Sequence, residues 1–245
     1  MTEHLILITL TFLLAGLVKG VIGLGLPTVA MGLLAAAMPP AQAAAMLLVP
    51  SAVTNLWQLL AGPRFLPLLR QLWGMMLGIA LGTIACSGLI AGPAVHLATA
   101  GLGLALLAYA AIGLAKPGLS VPVQARGWAG PLVGLATGAV TGATGVFVIP
   151  AVPYLSALGL ARDDLVQALG LSFTVSTFAL GLGLAWHGAL PGLALGASLL
   201  ALLPALLGML LGGWLRARVR PELFRKIFFV GLAILGAEIL WRAVG

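Results

Sequence analysis

The stretch GLVKGVIGLGLPTV, residues 16–29, places one lysine inside a long apolar segment and then interrupts that segment with glycines and a proline. Lys19 is the only Asp, Glu, Lys or Arg residue between Glu3 and Arg64. Glycine and proline disfavour a continuous helix at this point. A charged side chain is costly in an apolar environment, so this lysine calls for either a functional or an interfacial explanation.

The composition around this stretch is that of a membrane protein. The 245 residues are 62% hydrophobic and only 7% charged, whereas about a quarter of a soluble domain is charged. A helix needs about 20 apolar residues to cross a bilayer, and such stretches recur along the chain. The net charge of +7 comes from basic residues in short loops, as the positive-inside rule expects, and does not indicate nucleic-acid binding.

Apolar segments occur in the same order of lengths twice. They are expected at 4–25, 27–38, 41–62, 66–91, 95–115, 128–145, 146–158, 163–187, 190–214 and 222–243. The sequence therefore predicts a first membrane repeat at 1–115, a cytoplasmic linker at 116–127 and a second repeat at 128–245. The short segments 27–38 and 146–158 are either re-entrant or short tilted spans, and the sequence leaves both readings open.

An internal alignment supports the two repeats. The aligned stretches are AGLVKGVIG (15–23) with VGLATGAVT (133–141), and LGIALG (77–82) with LGMLLG (207–212). This alignment places Lys19 opposite Thr137 and Pro27 opposite Gly145. Recurrence at a fixed spacing is the sequence signature of a repeated structural unit.

Loop charge then predicts the orientation of the repeats. Basic residues crowd the connection that contains Arg216, Arg218, Arg220, Arg225 and Lys226, which is therefore expected in the cytoplasm. Counting from it puts equivalent loops of the two halves on opposite sides, an arrangement common in secondary transporters. We expect an all-α multi-pass membrane protein with two inverted-topology repeats, each a glycine-broken hairpin followed by three transmembrane helices.

The two glycine-rich breaks, expected around Gly23–Pro27 and Thr141–Gly145, are candidate anion sites. N–H groups in the first turn of the helix after Pro27, at Thr28 to Met31, favour an anion, and glycines let it approach the backbone. Lys19 would attract the same anion, or would instead extend its ammonium to the membrane interface. The alternative for the glycines is close helix packing.

Two polar clusters near the middle of equivalent segments extend this candidate site. They are PSAVTNLWQ (50–58) and SFTVST (172–177), and the alternative for their hydroxyls is hydrogen bonding between helices. Pro50 frees a carbonyl one turn earlier, and such carbonyls together with the hydroxyls are expected to hold Na⁺ or a substrate oxygen. Trp57 either touches substrate or belongs to an interfacial aromatic belt. The expected substrate-binding residues are Lys19, Gly23, Gly25, Pro27, Thr28, Asn55, Trp57, Thr141, Thr144, Gly145, Ser172 and Thr174.

The glycine motifs resemble those of a known transporter family. G-x3-G-x2-G-x-G-x-P in the first half, and G-x3-G-x2-TGATG-x4-P in the second, resemble the repeated motifs of the sulfite exporter TauE/SafE family, also called the 4-toluene sulfonate uptake permease family. Pro27 replaces the last glycine of that family's run in the first half, and Ala143 and Thr144 replace two in the second. The resemblance implies a multi-pass inner-membrane transporter of sulfite, organosulfonates or related small anions.

The expected partners follow from this interpretation: a small anionic substrate, the lipid bilayer and a coupling ion, H⁺ or Na⁺, with no cofactor, no metal site and no nucleic acid. A homodimer is left open. The rival interpretations are a carrier of another small organic anion or solute, an accessory membrane subunit, and an intramembrane enzyme using Ser172 and His187. We expect no enzyme, because these two residues have no acidic partner and no nucleophile motif.

Both chain ends are predicted to lie outside the cytoplasm. In a Cys86→Ser background, single cysteines at residues 2 and 245 should react with a membrane-impermeant thiol reagent added to intact cells. Arg218→Cys, in the basic connection, should react only after the cells are opened. A cytoplasmic C-terminus would contradict the inverted-repeat prediction.

Overall fold

The computed structural model describes residues 2–115, 118–190, 192–216, 218 and 220–244. These residues form α-helices joined by short connections. The helices are α1 (Thr2–Ile22), α2 (Leu26–Ala35), α3 (Pro40–Leu60), α4 (Phe65–Ala91), α5 (Val95–Ala115), α6 (Arg126–Thr144), α7 (Ala151–Ala157), α8 (Arg162–Trp186), α9 (Gly192–Arg216) and α10 (Pro221–Val244), with a 3₁₀ turn at Val123–Ala125.

The helices confirm a multi-pass membrane protein. Within the described residues, six helices are long and apolar enough to cross a bilayer: α1, α3, α4, α5, α8 and α9. Most helix ends lie within a few residues of the predicted ones. One difference is that α6 begins at Arg126, inside the expected linker 116–127. Lys116, the first residue of the expected linker, and residue 245, at the chain end predicted to lie outside the cytoplasm, lie outside the described residues.

Helices α3 and α8 form the centre of the bundle. In these two helices 67% and 72% of the span is buried, more than in the other candidate spans. They contact each other, and the remaining long helices pack in pairs around them: α1 with α9, α4 with α6, and α5 with α10. Each of these pairs joins one helix from the first half of the chain to one from the second half.

The α1–α9 pair is a backbone-to-backbone contact that only glycine permits. A methyl group added at Gly16 would lie 2.1 Å from the Ala205 carbonyl oxygen, and one added at Gly20 would lie 2.3 Å from that of Met209. Both partners advance along the chain together, so α1 and α9 run parallel. Small residues of this kind let helices approach closely in lipid, where apolar side chains alone provide little drive for association.

The α4–α6 pair repeats this contact at aligned positions. A methyl group added at Gly134 would lie 2.2 Å from the Met75 carbonyl oxygen, and one added at Gly138 would lie 2.3 Å from that of Ile79. In the internal alignment Gly138 corresponds to Gly20, and Ile79 corresponds to Met209. The two halves of the chain therefore use the same glycines for the same contact, with the partners exchanged.

One end of the bundle carries most of the basic residues, including Arg64, Arg126, Arg162, Arg216 and Arg225, and is called the basic end below. At this end an ion pair joins Arg64 Nη1 to Asp164 Oδ2 at 3.0 Å, between the end of α3 and the start of α8. Because α1 runs parallel to α9, which ends at Arg216, α1 begins at the opposite end and points towards the basic end.

Alanine substitution at aligned glycines should destabilise the protein to a similar extent in each half. Gly20→Ala and Gly138→Ala each force a methyl group against a backbone carbonyl, so each should lower the melting temperature. Gly231→Ala is the control, because an added methyl group there has no atom within 4 Å and alanine is the better helix former. Thermal unfolding in detergent measures all three. A loss at only one of the two aligned glycines would contradict the equivalence of the contacts.

Candidate functional site

The first break lies where the glycine pattern predicts it. Helix α1 ends at Ile22, and α2 begins at Leu26. Between them Gly23 and Gly25 have φ angles of +86° and +103°, a region that residues with a Cβ atom rarely adopt. The Gly23 N–H closes α1 by donating to the Lys19 carbonyl at 2.7 Å. The break therefore follows directly from the two glycines.

Fewer N–H groups are free at the start of α2 than the sequence predicts. Val29 N–H already donates to the Gly25 carbonyl at 2.9 Å, because the helix begins one residue before Pro27. The expectation that Thr28 to Met31 all present free N–H groups is therefore wrong. Proline has no N–H, so helix geometry leaves Leu26 and Thr28 as the donors at this end.

The second break begins later than the sequence predicts. Helix α6 continues through Thr144, and the non-helical residues are 145–150. The hydroxyls of Thr141 and Thr144 donate to carbonyls one turn earlier, at 2.8 and 2.6 Å, and so remain part of the helix. Gly145 then ends α6 with a φ angle of +72°. Gly145 is thus in the break, whereas Thr141 and Thr144 flank it.

The two breaks approach each other through α2. A methyl group added at Gly145 would lie 2.8 Å from the sulfur atom of Met31, which is fully buried in the second turn of α2. The short helix that follows the first break therefore packs directly on the residue that opens the second break. Gly145 serves this contact as well as the turn.

The ammonium of Lys19 lies inside the bundle and not at a membrane interface. The side chain is only 4% exposed. Its Nζ atom donates to Thr54 Oγ1 at 3.1 Å and to Asn55 Oδ1, both on the central helix α3. The alternative that Lys19 extends to the interface is therefore wrong. Within the part of the chain that the structure describes, its two hydrogen-bond partners are neutral oxygen atoms, and none of the described partners balances its positive charge.

Asn55 connects this lysine to the second half of the chain. Its Nδ2 atom donates to Thr177 Oγ1 on α8 at 3.2 Å, and the Thr177 hydroxyl donates to the Phe173 carbonyl at 2.7 Å. Asn55 and Thr177 each lie fifteen residues beyond the first residue of their helix, Pro40 and Arg162. The link from Lys19 therefore crosses between the halves at equivalent positions of the two central helices.

Buried hydroxyls without hydrogen-bond partners occur on the same helices. Ser51 lies one turn before Asn55 on α3, and Ser176 precedes Thr177 on α8. The four hydroxyls of this kind on α2, α3 and α8 belong to Thr28, Ser51, Ser172 and Ser176. An unsatisfied buried polar group costs about 1–3 kcal/mol, so these hydroxyls are donors and acceptors available to a ligand.

The carbonyl freed by Pro50 is already occupied. It belongs to Met46, and the Ser198 hydroxyl of α9 donates to it at 2.7 Å. The same Ser198 oxygen accepts a hydrogen bond from the Val49 N–H at 3.1 Å. The expectation that this carbonyl holds Na⁺ or a substrate oxygen is therefore not supported, because Ser198 satisfies the backbone around the proline.

Two other predicted site residues lie apart from the cluster. Trp57 is 71% exposed on the outside of the bundle, because two residues along a helix turn its side chain about 200° away from Asn55. Thr174 donates its hydroxyl to the Gly170 carbonyl at 2.7 Å. Conversely, the predicted set omitted Thr54, Ser51, Ser176 and Thr177. The four-residue spacing from Ser51 to Asn55 and from Ser172 to Ser176, which puts each pair on one helix face, is the signal that could have found some of them.

Comparison with known proteins identifies one family. The family model described as Sulfite exporter TauE/SafE matches residues 8–239, nearly the whole chain. No curated protein and no solved structure matches the chain.

Removing the Asn55 amide should destabilise the protein chiefly through Lys19. Asn55→Leu takes away a hydrogen bond to a buried charge and should cost about 2 kcal/mol. The same substitution should cost much less in a Lys19→Met background, because no charge is then left without its partner. Gln42→Leu, at an exposed position of the same helix, is the control. The free energies of unfolding of the wild type, the two single variants and the double variant form a double-mutant cycle that measures the coupling between Asn55 and Lys19. Strictly additive losses of stability would contradict this coupling.

Proposed function

Because the chain belongs to the sulfite exporter TauE/SafE family of membrane transporters, we propose that it is a secondary carrier for a small sulfur-containing anion, sulfite or an organosulfonate. We place this carrier in the plasma membrane, the inner membrane of a cell with two membranes. The basic end would face the cytoplasm, in agreement with the positive-inside rule.

The observation that carries the proposal is the unbalanced charge of Lys19. A lysine at the centre of a bilayer costs about 2.5–3.5 kcal/mol on insertion scales, and Lys19 is buried with only neutral oxygen atoms as partners. Binding of an anion would balance this charge. An ammonium on a flexible stem acts as a point charge, which suits a substrate that must bind and later leave.

Buried hydroxyls on α2, α3 and α8 can supply hydrogen bonds to the oxygen atoms of such an anion. Thr28, Ser51, Ser172 and Ser176 have buried hydroxyls without partners, and each can donate one hydrogen bond. Ser51, Ser172 and Ser176 lie on the same two central helices as the partners of Lys19, and Thr28 lies in the first turn after the first break. We propose that Lys19 attracts the anion and that these hydroxyls, with Asn55, bind its oxygens.

The proposed mechanism is alternating access between two inverted-topology repeats. Support comes from the aligned glycine contacts, in which α1 packs on α9 as α6 packs on α4, and from the Asn55–Thr177 bond at equivalent positions. In transporters built from such repeats, the substrate lies between the repeats and one repeat moves against the other. A small movement between α3 and α8 would then change the side from which Lys19 is reached.

The other functions considered have less support. Ser172 and His187 would have to act together in an enzyme, yet they lie about 22 Å apart along α8 by helical rise. A carrier of another small anion would use the same site, and a substrate panel separates it from a sulfite carrier. We include a coupling ion, H⁺ or Na⁺, and a homodimer in the proposal. The Met46 carbonyl does not support a Na⁺ site, because Ser198 occupies it.

Transport should depend on the charge of Lys19. Lys19→Gln should reduce sulfite flux into proteoliposomes about ten- to a hundredfold, the loss expected for one charge-assisted hydrogen bond. Lys19→Arg should retain part of the flux. Lys226→Gln, which removes a charge from an exposed position, is the matched control and should transport normally. Normal flux by Lys19→Gln at equal protein content would refute the proposed role of Lys19.

A further inference from the structure

A cavity of about 440 Å³ lies at the basic end, beside the first break. Its walls come from α5, α7, α10 and the residues on either side of Gly23, namely Ile22 and Leu24. The Val121 N–H donates to the Ala157 carbonyl at 3.0 Å and holds the segment before α6 against α7. Ile22, the lining residue nearest to Lys19 in the sequence, is three residues beyond it.

Arg225 is the charged residue of this cavity. Its Nη2 atom is buried and has no hydrogen-bond partner within the described residues. Leaving a buried donor unpaired is costly, and more so for a charged group. A guanidinium group matches the geometry of an oxyanion and binds it through two parallel hydrogen bonds. Ser156, on the α7 wall, adds a hydroxyl, and most of the remaining lining is apolar.

The size of the cavity indicates a hydrated ligand. A water molecule takes about 30 Å³ of liquid volume, so the cavity has room for a small oxyanion together with several waters. Lys19, by contrast, is 4% exposed and surrounded by protein. An anion at Arg225 could keep part of its hydration shell, whereas an anion at Lys19 would have to exchange water for protein donors.

The broken backbone forms one wall of the cavity. Ile22 and Leu24 line the cavity, and a methyl group added at Gly23 between them would have no atom within 4 Å. This stretch of chain is therefore not filled by side chains from neighbouring helices.

We propose that the Arg225 cavity is a second anion-binding site, which holds the hydrated substrate oxyanion at the basic end before it passes the first break to Lys19. This inference rests on the proposed function for the identity of the ligand, but binding at Arg225 is measurable without transport. Sulfite and the phosphate group of a lipid are both oxyanions, so either could bind Arg225 in the same way. The proposal commits to the soluble ion.

The first test measures binding in a protein that does not transport. In dodecyl maltoside, which contains no phosphate, sodium sulfite should raise the melting temperature of Lys19→Met above that in sodium chloride of equal ionic strength. Arg225→Gln in the same background should abolish this shift. Lys226→Gln should preserve it, because Lys226 does not line this cavity, although the neighbouring pocket that it lines also includes Arg225. An equal shift with and without Arg225, or no shift in Lys19→Met, would overturn the proposal.

The second test separates the soluble ion from lipid. If phosphatidylglycerol, and not sulfite, raises the melting temperature through Arg225, the ligand is a lipid headgroup and the proposal is wrong. Methanesulfonate, a sulfur oxyanion that is not a reductant, should act as sulfite does.

The third test uses flux with Lys19 intact. Arg225→Gln should raise the KM for sulfite about tenfold while the maximal rate changes less than twofold, because capture is weakened and passage through the Lys19 site is not. A reduced maximal rate with unchanged KM would overturn the assignment. Failure of the proposed function looks different, since wild-type protein would then carry no sulfite while Arg225-dependent stabilisation by oxyanions persisted.

Discussion

The bundle depends on close backbone contact between helices that belong to different halves of the chain. Apolar side chains gain little by leaving lipid for protein, so association in the membrane relies on packing at short range. Gly16 and Gly20 provide it on α1, and Gly134 and Gly138 provide it on α6. This contact also directs Lys19. Since Gly20 faces α9, the side chain one residue earlier points about 100° away, and it lies against α3.

The rigid frame explains how a charge can stay buried without a counter-ion. Thr54 and Asn55 hold the ammonium, and Asn55 is itself tied to Thr177 on the other central helix. At the basic end the Arg64–Asp164 ion pair joins the connection between α3 and α4 to the start of α8. The energetic cost of burying Lys19 is thus met by the fold, and a bound anion would lower that cost. In the proposed site, the charge would favour negative ligands and the placement of the hydroxyls would select among them.

Much of the fold could be predicted because its signals are local. Gly23 and Gly25 mark the first break in the sequence, and both have positive φ angles in the structure. The repeated Gly-x3-Gly spacing marks the helix faces of α1 and α6 that pack on α9 and α4. The second break was predicted too early, since Ala143 and Thr144 stand where glycines were expected and α6 continues through them. Trp57 was assigned to the substrate site because it is close to Asn55 in the sequence. Two residues along a helix, however, point to nearly opposite sides, and Trp57 is exposed. The partner of the Met46 carbonyl, Ser198, depends on a contact between distant helices that no local pattern contains.

The charge of Lys19 has an electrical consequence for the proposed carrier. With one monovalent anion bound, the site is neutral, whereas the empty site keeps a full positive charge. Moving one elementary charge across a membrane potential changes the free energy by about 2.3 kcal/mol per 100 mV. The voltage of the cell would therefore act on the return of the empty carrier and leave the loaded step nearly unaffected. A divalent anion would give the loaded complex a negative charge, so the protonation state of the cargo would decide whether the loaded half of the cycle also senses the voltage.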